Sequence, residues 1–154
     1  MSAYFLDSSA VVKRYVAEAG TAWVSALCAP ASGHELYAAR VTVVEVVSAI
    51  VRRARSVPML ALSLPGLVAR VRRELGVGFV VVELTPALAD RAVALAEMHS
   101  LRGYDAVQLA AATEVSRLRQ ALGGSALTLV SADSELNAAA GVQGLPVEDP
   151  NTHA

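Results

Sequence analysis

Along this chain, short runs of apolar residues alternate with longer segments in which apolar positions recur every three or four residues. AYFL, HELYAA, GFVVVEL, ALTLV and LPVE read as strands. The helical periodicity predicts helices from about Ser9, through Thr21 to Cys28, from about Thr42 to Arg55, from roughly Leu60 to Leu75, over Pro86 to Met98, over Tyr104 to Arg119 and over Ser134 to Ala140. Breakers such as Pro58, Pro65, Gly76, Gly103 and Gly141 mostly fall at the joints between these segments. Strands that are continuous apolar runs, separated by helices, predict a parallel sheet covered on both faces. The expected architecture is therefore a three-layer α/β/α domain with about five parallel strands, with LPVE at an edge. One domain over residues 1–148 and a short polar tail over 149–154 account for the whole sequence.

Length supports that division, since 154 residues suffice for a single core without disulfides. The 55% hydrophobic content is high, yet charges interrupt it too often for an apolar run of about 18 residues. We read the chain as soluble, with apolar surface left to cover in an oligomer or against a partner. Cys28 is the only cysteine and the MSAYFLDSSA start lacks a signal pattern, so a cytoplasmic setting is expected. The net charge of −1 gives no general attraction to nucleic acid. Its distribution is uneven, however: no acid lies between Glu45 and Glu74, while Arg52, Arg53, Arg55, Arg70, Arg72 and Arg73 do. Such a stretch is either a pair of solvated helix faces or a surface for phosphate or an acidic partner.

Four acids stand where an apolar run gives way to a different pattern: Asp7, Glu45, Asp105 and Asp133. Asp7 and Asp133 follow the first strand and ALTLV, at the carboxyl edge where open α/β sheets bind ligands. Carboxylates without histidine or cysteine beside them are hard donors suited to Mg²⁺ or Mn²⁺. Each acid also has a structural explanation. Asp7 and Asp133 can cap helices, Thr42 and Glu45 have capping-box spacing, and Asp105 can serve a helix dipole. Arg52 lies seven positions after Glu45 and returns to nearly the same helix face, which makes it a phosphate anchor beside the acid.

The segments that carry these acids resemble the PIN-domain family, and most of all the VapC-type toxins of type II toxin-antitoxin pairs. The likeness rests on DSSAVVKRY from Asp7 to Tyr15, EVVSAIVRR from Glu45, YDAVQLAAA around Asp105, and LVSADSEL followed by AAAGV. It runs from Tyr4 to Val147. The resemblance implies that Asp7, Glu45, Asp105 and Asp133 form a metal-binding catalytic pocket, with Ser9 and Ser131 as hydroxyl support. Ser131 stands where many relatives have threonine. It also implies Mg²⁺ or Mn²⁺ as cofactor, hydrolysis of RNA phosphodiesters, restraint by a cognate antitoxin, and a homodimer. Single-stranded or loop RNA is the expected substrate, with Arg52 and, less directly, Arg14, Arg53 and Arg102 on its backbone. His34, His99 and His153 lie outside the motifs and have no assigned role.

Other classes fit less well. A binding module on the same fold keeps the acids for structure and docks a partner on the arginine helices. A phosphoacceptor domain wants a lysine after a late strand, and the only lysine is Lys13; haloacid-type hydrolases want a second aspartate after DSS; a dinucleotide fold wants a glycine-rich first turn.

Overall fold

The structure is a computed structural model that describes residues 1–153; Ala154, the last residue of the polar tail, lies outside them. Five strands form one sheet: β1 (Ala3–Leu6), β2 (Glu35–Ala39), β3 (Val80–Val82), β4 (Leu127–Val130) and β5 (Val147–Glu148). They lie in the order β3-β2-β1-β4-β5, and every pairing is parallel. Seven α-helices connect them: α1 (Ser8–Val11), α2 (Thr21–Leu27), α3 (Arg40–Ala54), α4 (Pro58–Gly78), α5 (Pro86–His99), α6 (Gly103–Ala121) and α7 (Ser134–Val142).

The strands read as unbroken apolar runs because both sheet faces are covered. Ala3, Phe5, Leu127 and Leu129 point into one core, with Leu88, Leu95, Leu109 and Leu136 from α5, α6 and α7. The alternate positions Leu6, Leu36, Ala38 and Val130 point into the other, with Val11, Val24, Val46, Ile50, Val71 and Leu75 from α1 to α4. The three-layer α/β/α expectation is met, down to β5 at an edge.

Two local expectations are corrected. Helix α3 begins at Arg40, directly after β2, not near Thr42. Its N-cap is Ala39, which makes no side-chain bond, so no capping box forms between Thr42 and Glu45. Thr42 is instead fully buried. Pro65 is not a joint either but lies inside α4; the residues beyond it, Val71 and Leu75, are buried against the second core, and that packing outweighs the missing amide. The chain end folds back on the start of the domain. Lys13 Nζ donates to Asn151 Oδ1 at 2.9 Å, and the His153 ring stacks on Trp23 at 4.1 Å.

The sheet order reverses direction at β1, so the gap between β1 and β4 is the topological switch point. Leu6 stands opposite Val130 in the register, and the Asp7 amide donates to the Val130 carbonyl at 3.2 Å. Asp7 and Ser131 thus leave the sheet side by side.

Candidate functional site

Asp7 is only 2% exposed. Its Oδ1 accepts from the Ala10 amide at 3.1 Å, capping α1, and from the Ser9 hydroxyl at 2.7 Å. Its Oδ2 accepts from the Ser131 hydroxyl at 3.1 Å. Both serines are knitted into the β4–α7 turn: the Ala132 amide donates to Ser9 Oγ at 2.8 Å and the Asp133 amide to Ser131 Oγ at 3.1 Å. Asn137 Nδ2 fastens the same turn by donating to the Ser131 carbonyl at 2.8 Å. Burial pushes the Asp7 carboxyl up to about 7; the three hydrogen bonds oppose the shift, and the nearby charge of Glu45 adds to it.

The other acids arrive from helix starts. Glu45 lies in the second turn of α3, and its Oε1 accepts from Gln108 Nε2 at 2.8 Å. Asp105 sits in the first turn of α6, and among the described residues no protein donor bonds its carboxylate. Burial raises the Asp105 carboxyl, and the charges of Asp133 and Glu45 raise it further against the pull of Arg102. Asp133 caps α7, with Oδ1 accepting from the Leu136 amide at 3.0 Å. Capping leaves its second oxygen uncommitted. Glu45, Asp105, Arg102 and Tyr104 line one open cleft of about 620 Å³.

Asp7, Glu45, Asp105 and Asp133 therefore share a neighbourhood at the carboxyl edge, in which Asp7 feels Glu45, and Asp105 feels both Asp133 and Glu45. No ion pair with Arg, Lys or His reaches any of the four among the described residues. Their donor chemistry fits a hard divalent cation: oxygen only, with a buried carboxylate that lacks a counter-charge. The spacing is open, and among the described residues no three Asp, Glu, His or Cys side chains form a ready-made metal shell.

The arginines divide differently from the sequence expectation. Arg102 lines the acidic cleft. Arg52 lines a different cleft from Glu45, an apolar groove of about 530 Å³ between α3 and α4, with Val44, Val47, Val51, Arg55 and Arg72. A seven-residue spacing drifts about 20° around a straight helix, and two turns carry the side chain roughly 10 Å along the axis. Arg14 is committed elsewhere, bridging to Glu74 at 3.2 Å with a side chain only 14% exposed. Arg53 leans toward Glu18 at 3.8 Å. Two residues had no place in the site from sequence, where Thr42 stood only as a capping-box partner and Gln108 had no role. Gln108 and Thr42 are both buried, and the Gln108 amide donates to Thr42 Oγ1 at 3.0 Å as well as to Glu45. The available signal was a lone polar side chain inside the apolar AVQLAAA of α6.

Comparison with known proteins identifies the fold and the family. Among curated proteins no sequence matches the chain. Solved structures do match in fold. The Pyrobaculum aerophilum protein PAE2754 superposes with a TM-score of 0.64 at 21% identity, over 99% of this chain and 92% of that one. A toxin-antitoxin complex from Klebsiella pneumoniae gives 0.62 at 19% identity, over 96% and 97%. VapBC2 from Rickettsia felis, bound to a DNA fragment from its promoter, gives 0.55 at 11% identity, over 96% and 98%. A family model, described as the PIN domain, matches residues 4–142. With most of its length matched and its acids gathered at the switch point of a five-stranded parallel sheet, the chain belongs to the PIN-domain family, whose members are generally nucleases.

Proposed function

We propose that this protein is a metal-dependent endoribonuclease and the toxin of a toxin-antitoxin pair. The observation that carries the reading is a set of four carboxylates at the carboxyl edge, mutually repulsive and without a cationic side chain bridged to any of them. Asp7, Glu45, Asp105 and Asp133 are the residues to hold Mg²⁺ or Mn²⁺. Such a cation supplies an activated water and stabilises charge on a phosphodiester under in-line attack. Ser9 and Ser131 orient the Asp7 carboxylate through their hydroxyls. Arg102, which lines the cleft, is the guanidinium to meet a substrate phosphate. Tyr104, 58% exposed beside it, offers a ring face to an unpaired base.

The α3–α4 groove supports the partner half of the reading. An apolar floor of valines rimmed by Arg52, Arg55 and Arg72 suits an amphipathic segment with acidic flanks, the chemistry of an antitoxin tail. The solved complexes of toxins with antitoxins share this fold. Exposed Met59 and Leu62 leave further apolar surface for a homodimer. No helix among the described residues is long and apolar enough to cross a membrane.

A second reading, a module that binds RNA or protein with little catalysis, is favoured by one observation: the acids are not gathered into a ready-made shell. Incubation of the purified protein with mixed RNA in Mn²⁺, Mg²⁺ or EDTA, beside Asp7→Asn and Asp105→Asn, separates the two. Cleavage confined to the metal-containing wild-type reactions supports the nuclease. Cleavage in EDTA or by both variants refutes the mechanism, and no cleavage of any RNA favours the binding module.

A further inference from the structure

Resting on the metal-dependent reading above, we infer that Gln108 is a positioning residue: α6 presents Asp105 to the cation directly and sets Glu45 in place through the Gln108 amide, one turn further along the same helix. The two helices approach from opposite layers. Helix α3 packs with the core that contains Val46 and Ile50, whereas α6 packs with the one that contains Leu109. Both begin at the carboxyl edge of the sheet, and the Gln108 amide joins them there. Its Nε2 gives one hydrogen to Glu45 Oε1 at 2.8 Å and the other to Thr42 Oγ1 at 3.0 Å. The Thr42 hydroxyl lies 3.5 Å from Gln108 Oε1, to which it donates.

Burial makes this contact consequential. Gln108 is 1% exposed and Thr42 is fully buried, so an amide turned the other way would set its oxygen against the Glu45 carboxylate, acceptor against acceptor. The carboxylate, which can only accept, holds the amide in one orientation, and the hydroxyl bonds it in that position. With Oε1 engaged, Oε2 of Glu45 is the oxygen left for a cation. The residue type also matters. A lysine or arginine here would neutralise Glu45 and compete with a divalent ion, and a glutamate would repel it; glutamine orients the carboxylate and leaves its charge intact.

The test is a calorimetric titration with Mn²⁺ alone, on wild-type protein, Gln108→Met, Thr42→Val, Glu45→Ala and the pairings of each of the first two with Glu45→Ala. Partners that orient a metal ligand typically change affinity by about 10- to 100-fold. Gln108→Met is expected to weaken Mn²⁺ binding by that factor, and Thr42→Val by less. Each is expected to cause no further loss once Glu45 is already alanine, because it acts only through that side chain. Wild-type affinity in Gln108→Met, or the same fold-loss repeated in the Glu45→Ala background, overturns the inference while leaving the metal site standing. If Gln108→Met does not fold, Thr42→Val and its pairing decide by the same criterion. A wild-type protein that binds no Mn²⁺ removes the metal-dependent reading itself, and the inference with it.

Discussion

Two carboxylates of this protein show opposite treatments of negative charge. Glu114, on the outer helical layer, lies between two guanidinium groups. Arg117 donates to it through Nε at 3.1 Å and Nη2 at 2.9 Å, and Arg91 donates from α5. The hydrogen bond from Arg117, then the contact with Arg91, hold its carboxyl at about 2. Asp7, at the end of the central strand, has hydroxyl and amide donors but no cation, and burial lifts it to about 7. Twelve arginines are available in the chain, so a shortage of positive charge does not explain the difference. A region that places acid beside acid in a half-buried cleft, while other acids on the same molecule are bridged, is what the proposed metal-dependent function requires of a site for a counter-ion from outside.

Removing an acid at each location should have contrasting consequences for activity. Asp7→Asn or Asp105→Asn should lower metal-dependent RNA cleavage by about 10³-fold or more, since a divalent ion supplies several kcal/mol of charge stabilisation; Glu114→Gln should leave turnover at the wild-type rate. Cleavage rates under single-turnover conditions read the contrast.

Stability should move the opposite way. The folded Asp7 carboxyl titrates near 7 against an ordinary value of 3.8, so its protonated form is favoured by the fold. That contribution is fully present below about pH 4 and is lost as the pH rises through about 7. In EDTA at pH 8, Asp7→Asn should therefore be more stable than wild type by up to about 4 kcal/mol, on the order of 10 °C in Tm, with the gap closing by pH 4. Thermal melts across that range check both size and sign. Ser131→Ala removes one hydroxyl that holds the Asp7 carboxylate down; it should raise the Asp7 carboxyl further and cost about 10-fold in activity. Smallest of all, Glu114→Gln should cost under about 1 kcal/mol, because its side chain is 23% exposed and its bridges are screened. That loss should fade as the pH falls from about 4.5 through about 2.

Strand runs and the four acids were readable because both follow from burial on two faces and from position at a sheet edge. Phe5 and Leu6 had to be apolar whichever face each served. Asp7 stood out because a carboxylate had to follow them. What sequence hid was contact between distant segments. Thr42 had the spacing of a capping box until α3 began two residues earlier and turned its hydroxyl to Gln108, a residue 66 positions away. Arg14, in the DSSAVVKRY run, was already engaged by Glu74 on α4, 60 positions away. Pro65 punctuates a helix by local rules, yet buried contacts beyond it carry α4 through.

On the proposed function, the acidic edge takes a divalent cation, since no cationic side chain bridges its four carboxylates. Titrating Mn²⁺ into the protein at pH 7 by calorimetry, in two buffers of different ionisation enthalpy, tests it most directly. Because Asp7 titrates near that pH and a cation favours its ionised form, binding should release a substantial fraction of one proton from wild type. The Asp7→Asn variant should bind weakly and release markedly less. Absence of Mn²⁺ binding, or equal affinity and equal proton release in Asp7→Asn, would rule out Asp7 as part of a cation site.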